Sequence, residues 1–119
     1  MNHNRNYGQL GEELAAHILA QNGYTNIERN VRIGNDEIDI VAQKSGFTIF
    51  IEIKTRLSNS MGFAEDQFSH RKISRLKRSA VAYCQKFNIH EEKIKIEAMA
   101  INLLISDKTA NISHFKYII

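Results

Sequence analysis

The sequence predicts a mixed α/β domain in the order helix, three strands, helix, two strands. Three observations carry this. Apolar residues recur at helical spacing over 9–22 and about 66–88. Isoleucine-rich runs of strand length lie between and after these stretches. Glycine, asparagine or serine sits where the chain has to turn. With 119 residues and no linker, repeat or low-complexity segment, the expectation is one domain over 1–119.

In QLGEELAAHILAQN, residues 9–22, Leu10, Leu14 and Ile18 recur every fourth position, and Ala15 and Leu19 widen the stripe. Tyr7 and Gly8 precede this helix, and Gly23 suits its C-terminal cap. A strand follows near 26–33, with Ile27, Val31 and Ile33 on one face. EIDIVAQKSGFTIFIEIK, residues 37–54, supplies a hairpin about Ser45-Gly46, since glycine allows the positive φ of a two-residue turn. One face carries Ile38, Ile40 and Ala42 with Phe47, Ile49, Ile51 and Ile53. The other carries Glu37, Asp39 and Val41 with Thr48, Phe50, Glu52 and Lys54. LSNSMGFAED, 57–66, reads as a loop beside this hairpin. In the second helix Ile73, Leu76, Ala80, Tyr83, Cys84 and Phe87 follow the 3.6-residue period, and Arg71, Arg75 and Arg78 make a basic stripe. KIKIEAMAINLLI is a mostly buried strand. Asp107-Lys108 turns the chain, and ISHFKYI alternates as the last strand.

Composition excludes several classes. Apolar runs fall well short of the ~18 residues of a membrane helix, and no apolar stretch follows the N-terminal charge, so a cytoplasmic protein with no membrane partner is expected. Cys84 is the only cysteine, which excludes an internal disulfide and a cysteine-based zinc site. His3, His17, His70, His90 and His114 are scattered and read as surface or boundary residues. The net charge of +3 and pI of about 9.1 lean toward anionic partners, with Arg71, Lys72, Arg75, Lys77 and Arg78 the densest basic segment.

The chemistry lies in the hairpin. A two-residue turn pairs Lys44 with Phe47 and therefore sets Asp39 across from Glu52 and Glu37 across from Lys54. Opposed side chains on one face have Cβ atoms roughly 4.5–5.5 Å apart. A retained proton, a neighbouring lysine or arginine, or a divalent cation would relieve the repulsion between two such carboxylates. Magnesium takes oxygen ligands of this kind and completes its shell with water and phosphate. Lys54, two residues from Glu52 on the same face, could orient a water or stabilise charge at phosphorus. Glu-x-Lys is also a cheap pattern, and the same residues fit a solvated strand face with Lys54 paired to Glu37.

Asp, a spacer of a dozen residues, then Glu-x-Lys on adjacent strands resembles the PD-(D/E)xK nucleases. GEELA, GYTNIERNVR, EIDIVA, FIEIKTR, and MGF followed by Lys72 resemble, more closely, the YraN-like family of uncharacterised proteins, over about residues 8–88. That family is related by fold to archaeal Holliday-junction resolvases. The resemblance implies a restriction-endonuclease-like fold with a mixed central sheet flanked by helices. It implies magnesium or manganese as cofactor, Asp39, Glu52 and the Ile53 carbonyl as metal ligands, and Lys54 as the catalytic lysine. Glu12 matches a helix glutamate that completes such sites, and helix geometry places it beside Leu19 at the edge of the apolar stripe. The family usually has glycine before its Glu-Ile-Asp run. Here Asp36 stands there, behind Gly34-Asn35, which puts Glu37 in more doubt than Asp39.

Arg32, Arg56, Arg71, Lys72, Arg75 and Arg78 are the candidate nucleic-acid contacts, through phosphate or along the backbone, with Arg29 and Asn30 beside Arg32 on the first strand; the same residues also fit ordinary solvated surface charge. The expected function is metal-dependent hydrolysis of phosphodiester bonds in nucleic acid, DNA in the first instance, including structured or branched DNA. The alternative is a binding module that keeps the nuclease fold without cutting, and a more remote one is a structural or protein-interaction role. A homodimer is a further expectation, because resolvase-like relatives often pair.

Overall fold

A computed structural model describes residues 3–58, 68–104, 106 and 108–116. Helix α1 (His3–Gln21) leads into strands β1 (Thr25–Ile33), β2 (Asp36–Lys44) and β3 (Phe47–Ser58). Helix α2 (His70–Phe87) and one 3-10 turn precede β4 (Ile94–Leu104) and β5 (Thr109–Phe115). The strands form one sheet in the order β1-β2-β3-β4-β5, antiparallel except where β3 and β4 run parallel across the α2 connection. This is the mixed α/β arrangement expected. The MGF stretch and most of the 57–66 loop lie outside the described residues, as do Asp107 and residues 117–119.

Each helix covers one face. Ala15 and Leu19 of α1 pack with Ile40, Ala42, Ile49, Ile51, Ile53, Met99 and Ile101. Leu76, Ala80, Tyr83 and Cys84 of α2 pack with Val41, Phe50, Ile96 and Ile38. Burying such sets of aliphatic side chains, at about 1.5–3 kcal/mol each, is the main stabilising term.

Turn chemistry does what its residues suggest. Ser45 and Gly46 have φ 53° and 82°, and Lys44 pairs with Phe47. Gly23, at φ 89°, ends α1, with the Tyr24 amide reaching back to the Leu19 carbonyl at 3.0 Å. Ser69 caps α2, its Oγ accepting from the Lys72 amide at 3.3 Å, and Asn88 closes the helix at φ 57°.

Five expectations change. Helix α1 runs back through Tyr7 and Gly8, because Tyr7 packs on the core and rewards the extra turns. Its buried centre is Gly11, Ala15 and Leu19, while Leu10 is 43% exposed. Small residues there let the helix axis approach the sheet. Phe87 is 52% exposed at the helix end, its ring tilted against Tyr83 with centroids 4.6 Å apart, and outside the core. Finally, Ile38 does not share a face with Ile40: it packs under α2, Ile40 under α1. Likewise Ile27 packs on the α1 side, and Val31 and Ile33 on the α2 side. Asn26 and Asn30 take left-handed φ of 49° and 54°, and a bulge lies between Thr25 and Glu28. Such residues break the two-residue alternation, so the β1-β2 ribbon turns over near Asn30 and Asp39.

Candidate functional site

Asp39 sits at that turnover. The β2-β3 ladder runs from Lys44↔Phe47 to Ile40↔Ile51 in the register expected from the turn. The next bond of an alternating antiparallel ladder would join the Ile53 amide to the Ile38 carbonyl. Instead the Ile53 amide donates to Asp39 Oδ2 at 2.8 Å. The strands therefore fork at Asp39, and a side chain replaces a backbone acceptor. The expected direct opposition of Asp39 with Glu52, and of Glu37 with Lys54, does not extend the ladder; Glu37 pairs in register with Arg32 of β1.

Both acids nevertheless open into one cleft of about 260 Å³, lined by Asn35, Asp36, Glu37, Asp39 and Glu52 from the sheet side and by Lys72, Arg75, Leu76 and Ser79 from α2. Ser79 Oγ donates to Asp36 Oδ2 at 3.5 Å and ties helix to strand. The two acids feel different surroundings. Burial pushes the Asp39 carboxyl up to about 7; the Ile53 amide pulls against this, while the charges of Glu52, Glu12 and Glu37 add to it. Burial also raises Glu52, but Lys72, Arg75 and Lys54 oppose the rise. Asp39 is thus the uncompensated acid and Glu52 the one faced by cations.

From α1, Glu12 comes near enough for its charge to be felt at Asp39. Gly11 lets α1 close on Thr55, because a Cβ there would overlap Thr55 Oγ1 and come within 2.8 Å of Thr55 Cβ. Glu12 Oε1 meets Arg29 Nη2 at 3.6 Å. Lys54 is exposed and close enough to act on the Glu52 charge. Of the basic candidates, Lys72 and Arg75 line the cleft. Arg32 is exposed across from Glu37, and Arg71 and Arg78 are exposed on α2 and do not line the cleft. Arg56 is half-buried beside Asn102 of β4 and also stands off it.

The cleft offers carboxylate, amide and hydroxyl oxygens, and neither thiolate nor imidazole lines it. That donor set fits a hard cation such as magnesium or manganese. Among the described residues, no three His, Cys, Asp or Glu side chains come together closely enough to ligate one ion. The fit is therefore to a two-carboxylate hold completed by water or phosphate, with Glu12 outside the direct ligand set.

Sequence reading missed the Arg29–Glu12 pair and a polar network on the α1 face. Glu97 is 3% exposed and accepts from Tyr24 Oη at 2.8 Å, and His114 Nε2 lies 2.7 Å from the same oxygen. Burial alone would raise Glu97; the bonds to His114 and Tyr24 and the charges of His114 and Lys116 leave it below its ordinary value. The only signal was an acid in the middle of a buried run.

A profile of the Uncharacterised protein family UPF0102 matches residues 11–104. A UPF0102 protein of Syntrophomonas wolfei is 36% identical over 111 residues, covering 93% of this chain and 95% of the relative. UPF0102 proteins of Moorella thermoacetica and Dictyoglomus thermophilum are 35% and 33% identical, over 94% and 98% of this chain and 93% and 96% of theirs. The matched span runs from the glycine that seats α1 through both acids to the end of β4, and on these grounds the chain belongs to the UPF0102 family, the YraN-like proteins of the sequence reading.

Proposed function

We propose that this protein is a metal-dependent nuclease that hydrolyses phosphodiester bonds in nucleic acid. The observation that carries the reading is one cleft holding Asp39 and Glu52 on one wall and Lys72 and Arg75 on the other. Acids without a full set of compensating cations suit a divalent ion, and lysine and arginine across a narrow gap suit the phosphate between them. Asp39, Glu52 and the Ile53 carbonyl would hold magnesium or manganese. The Ile53 amide points toward β2, and in an extended strand the carbonyl of the same residue points the same way. A bound ion would supply positive charge against the negative charge that builds on a phosphate under attack. Lys54 positions the attacking water and shares that charge. Lys72 and Arg75 hold the phosphate, and Glu12 acts from outside the ligand set.

The test is a panel of duplex, single-stranded and branched DNA and of RNA, incubated with magnesium or manganese. Asp39→Asn and Glu52→Gln should abolish cutting, and Lys54→Ala should slow it by about 10²–10⁴-fold, with the far-UV spectrum unchanged. Cutting that survives the Asp39 and Glu52 substitutions rejects the assignment.

A second reading is a binding module that keeps the fold and does not cut. It is favoured by the Ile53 amide, which already occupies one Asp39 oxygen at 2.8 Å. It predicts salt-sensitive binding with no divalent-dependent cleavage on any member of the panel.

A further inference from the structure

The proposal above uses cations on the α2 face only. On the α1 face, Arg29 Nη2 lies 3.6 Å from Glu12 Oε1, with the side chains 36% and 24% exposed. The position of Arg29 follows from β1. It pairs with Ile40, the residue after Asp39, and Asn30 then takes its left-handed turn. Val31 already packs under α2, so Arg29 ends the α1-facing part of the strand. Glu12 is in turn one of the charges that act on Asp39. Arg29 therefore meets Glu12 directly and lies opposite the residue that follows Asp39, and the like charge of Glu12 is felt at Asp39.

We propose that Arg29 is a positioning residue that exchanges Glu12 for a nucleic-acid phosphate, and so couples substrate arrival to cation binding. This rests on the nuclease reading of the Asp39–Glu52 cleft. A half-exposed pair at this separation is weak, so it is readily broken. A phosphodiester offers the guanidinium a two-pronged, charge-assisted contact that a single carboxylate oxygen does not. Once Arg29 turns to phosphate, Glu12 keeps an unneutralised charge beside Asp39. The acid cluster becomes more negative and holds a divalent cation more tightly. The two ligands then favour each other, as linkage requires.

The arrangement makes Arg29→Ala act with opposite signs on the two ligands. Manganese binding, followed by calorimetry at low salt without nucleic acid, should tighten roughly fivefold, the size expected for one unit charge acting on a divalent ion through a largely aqueous gap. Binding of a fluorescent duplex without divalent ions should weaken, and its salt slope should fall by about 0.9, one phosphate contact. Arg29→Lys should show both effects in part. Adding Glu12→Gln to Arg29→Ala should remove the tightening. Manganese affinity that is unchanged or weaker in a folded Arg29→Ala protein overturns the coupling role. The Asp39→Asn/Glu52→Gln protein separates the layers. Loss of manganese binding there, with no tightening in Arg29→Ala, overturns the coupling alone. Retained binding there, or no binding by the unaltered protein, overturns the cleft reading and the coupling with it.

Discussion

The carboxyl of Asp39 is pushed up to about 7, first by burial and then by Glu52, Glu12 and Glu37, against the pull of the Ile53 amide. An unfolded chain would release that proton near the ordinary 3.8. Because the folded value lies above the unfolded one, the proton's stabilising contribution is full below about 4 and fades as pH rises to about 7. Urea midpoints measured across this window should fall with pH, and Asp39→Asn should flatten that part of the slope. Glu52 contributes in the same direction and Glu97 in the opposite one, so the comparison is made against the unaltered protein. The same proton competes with a divalent cation, so manganese affinity should rise through about pH 7. The acids themselves were legible in the sequence, because carboxylates in the middle of isoleucine strands are out of place. Their unequal electrostatics were not legible, since Lys72 and Arg75 come from another element.

Helix α1 shows how an element can serve a site through its smallest residue. Gly11 has no room for a methyl group against Thr55, whereas nothing lies within 4 Å of the same position on Gly8. Gly11→Ala should therefore cost about 1–3 kcal/mol through overpacking. Gly8→Ala, inside the same helix, should stabilise it by up to about 1 kcal/mol. Thermal melts of the two variants provide the comparison. The apolar periodicity of α1 was readable: Ala15 and Leu19 are buried and Leu14 and Ile18 pack against the core, but Leu10 is exposed and Gly11, which has no apolar side chain to mark it, is buried in line with Ala15 and Leu19. Hydrophobicity marks a face, while the depth of approach depends on which side chains leave space. In β1 and β2, alternation was readable on either side of Asn30 and Asp39 but not across them. A left-handed residue is a local choice that the twist of the assembled ribbon selects.

At the scale of the whole molecule, the sheet separates two chemistries. The acidic cleft opens on the α2 side with Lys72 and Arg75, and the Tyr24–Glu97–His114 network lies on the α1 side. No helix among the described residues is long and apolar enough to cross a membrane. If the cleft receives nucleic acid, binding should weaken steeply with salt, and Lys72→Ala/Arg75→Ala should lower the slope of log affinity against log salt by roughly 2. Arg71→Ala/Arg78→Ala, whose side chains stand away from the cleft, should change the slope less. Fluorescence anisotropy over a range of salt measures both. An equal effect from the two pairs would mean that the helix face, not the cleft, attracts the ligand.

The sequence alone determined the order of elements, the Ser45-Gly46 turn, the β2-β3 register from Lys44↔Phe47 as far as Ile40↔Ile51, and the presence of two acids and a lysine on adjacent strands. These follow from turn chemistry and side-chain period, which act over a few residues. Only the tertiary structure decided that the hairpin forks at Asp39, that Gly11 lets α1 close on Thr55, that Arg29 meets Glu12, and that Lys72 and Arg75 face the acids. Each of those depends on packing between residues far apart in the chain, where approach distance and sheet twist, not local preference, set the geometry.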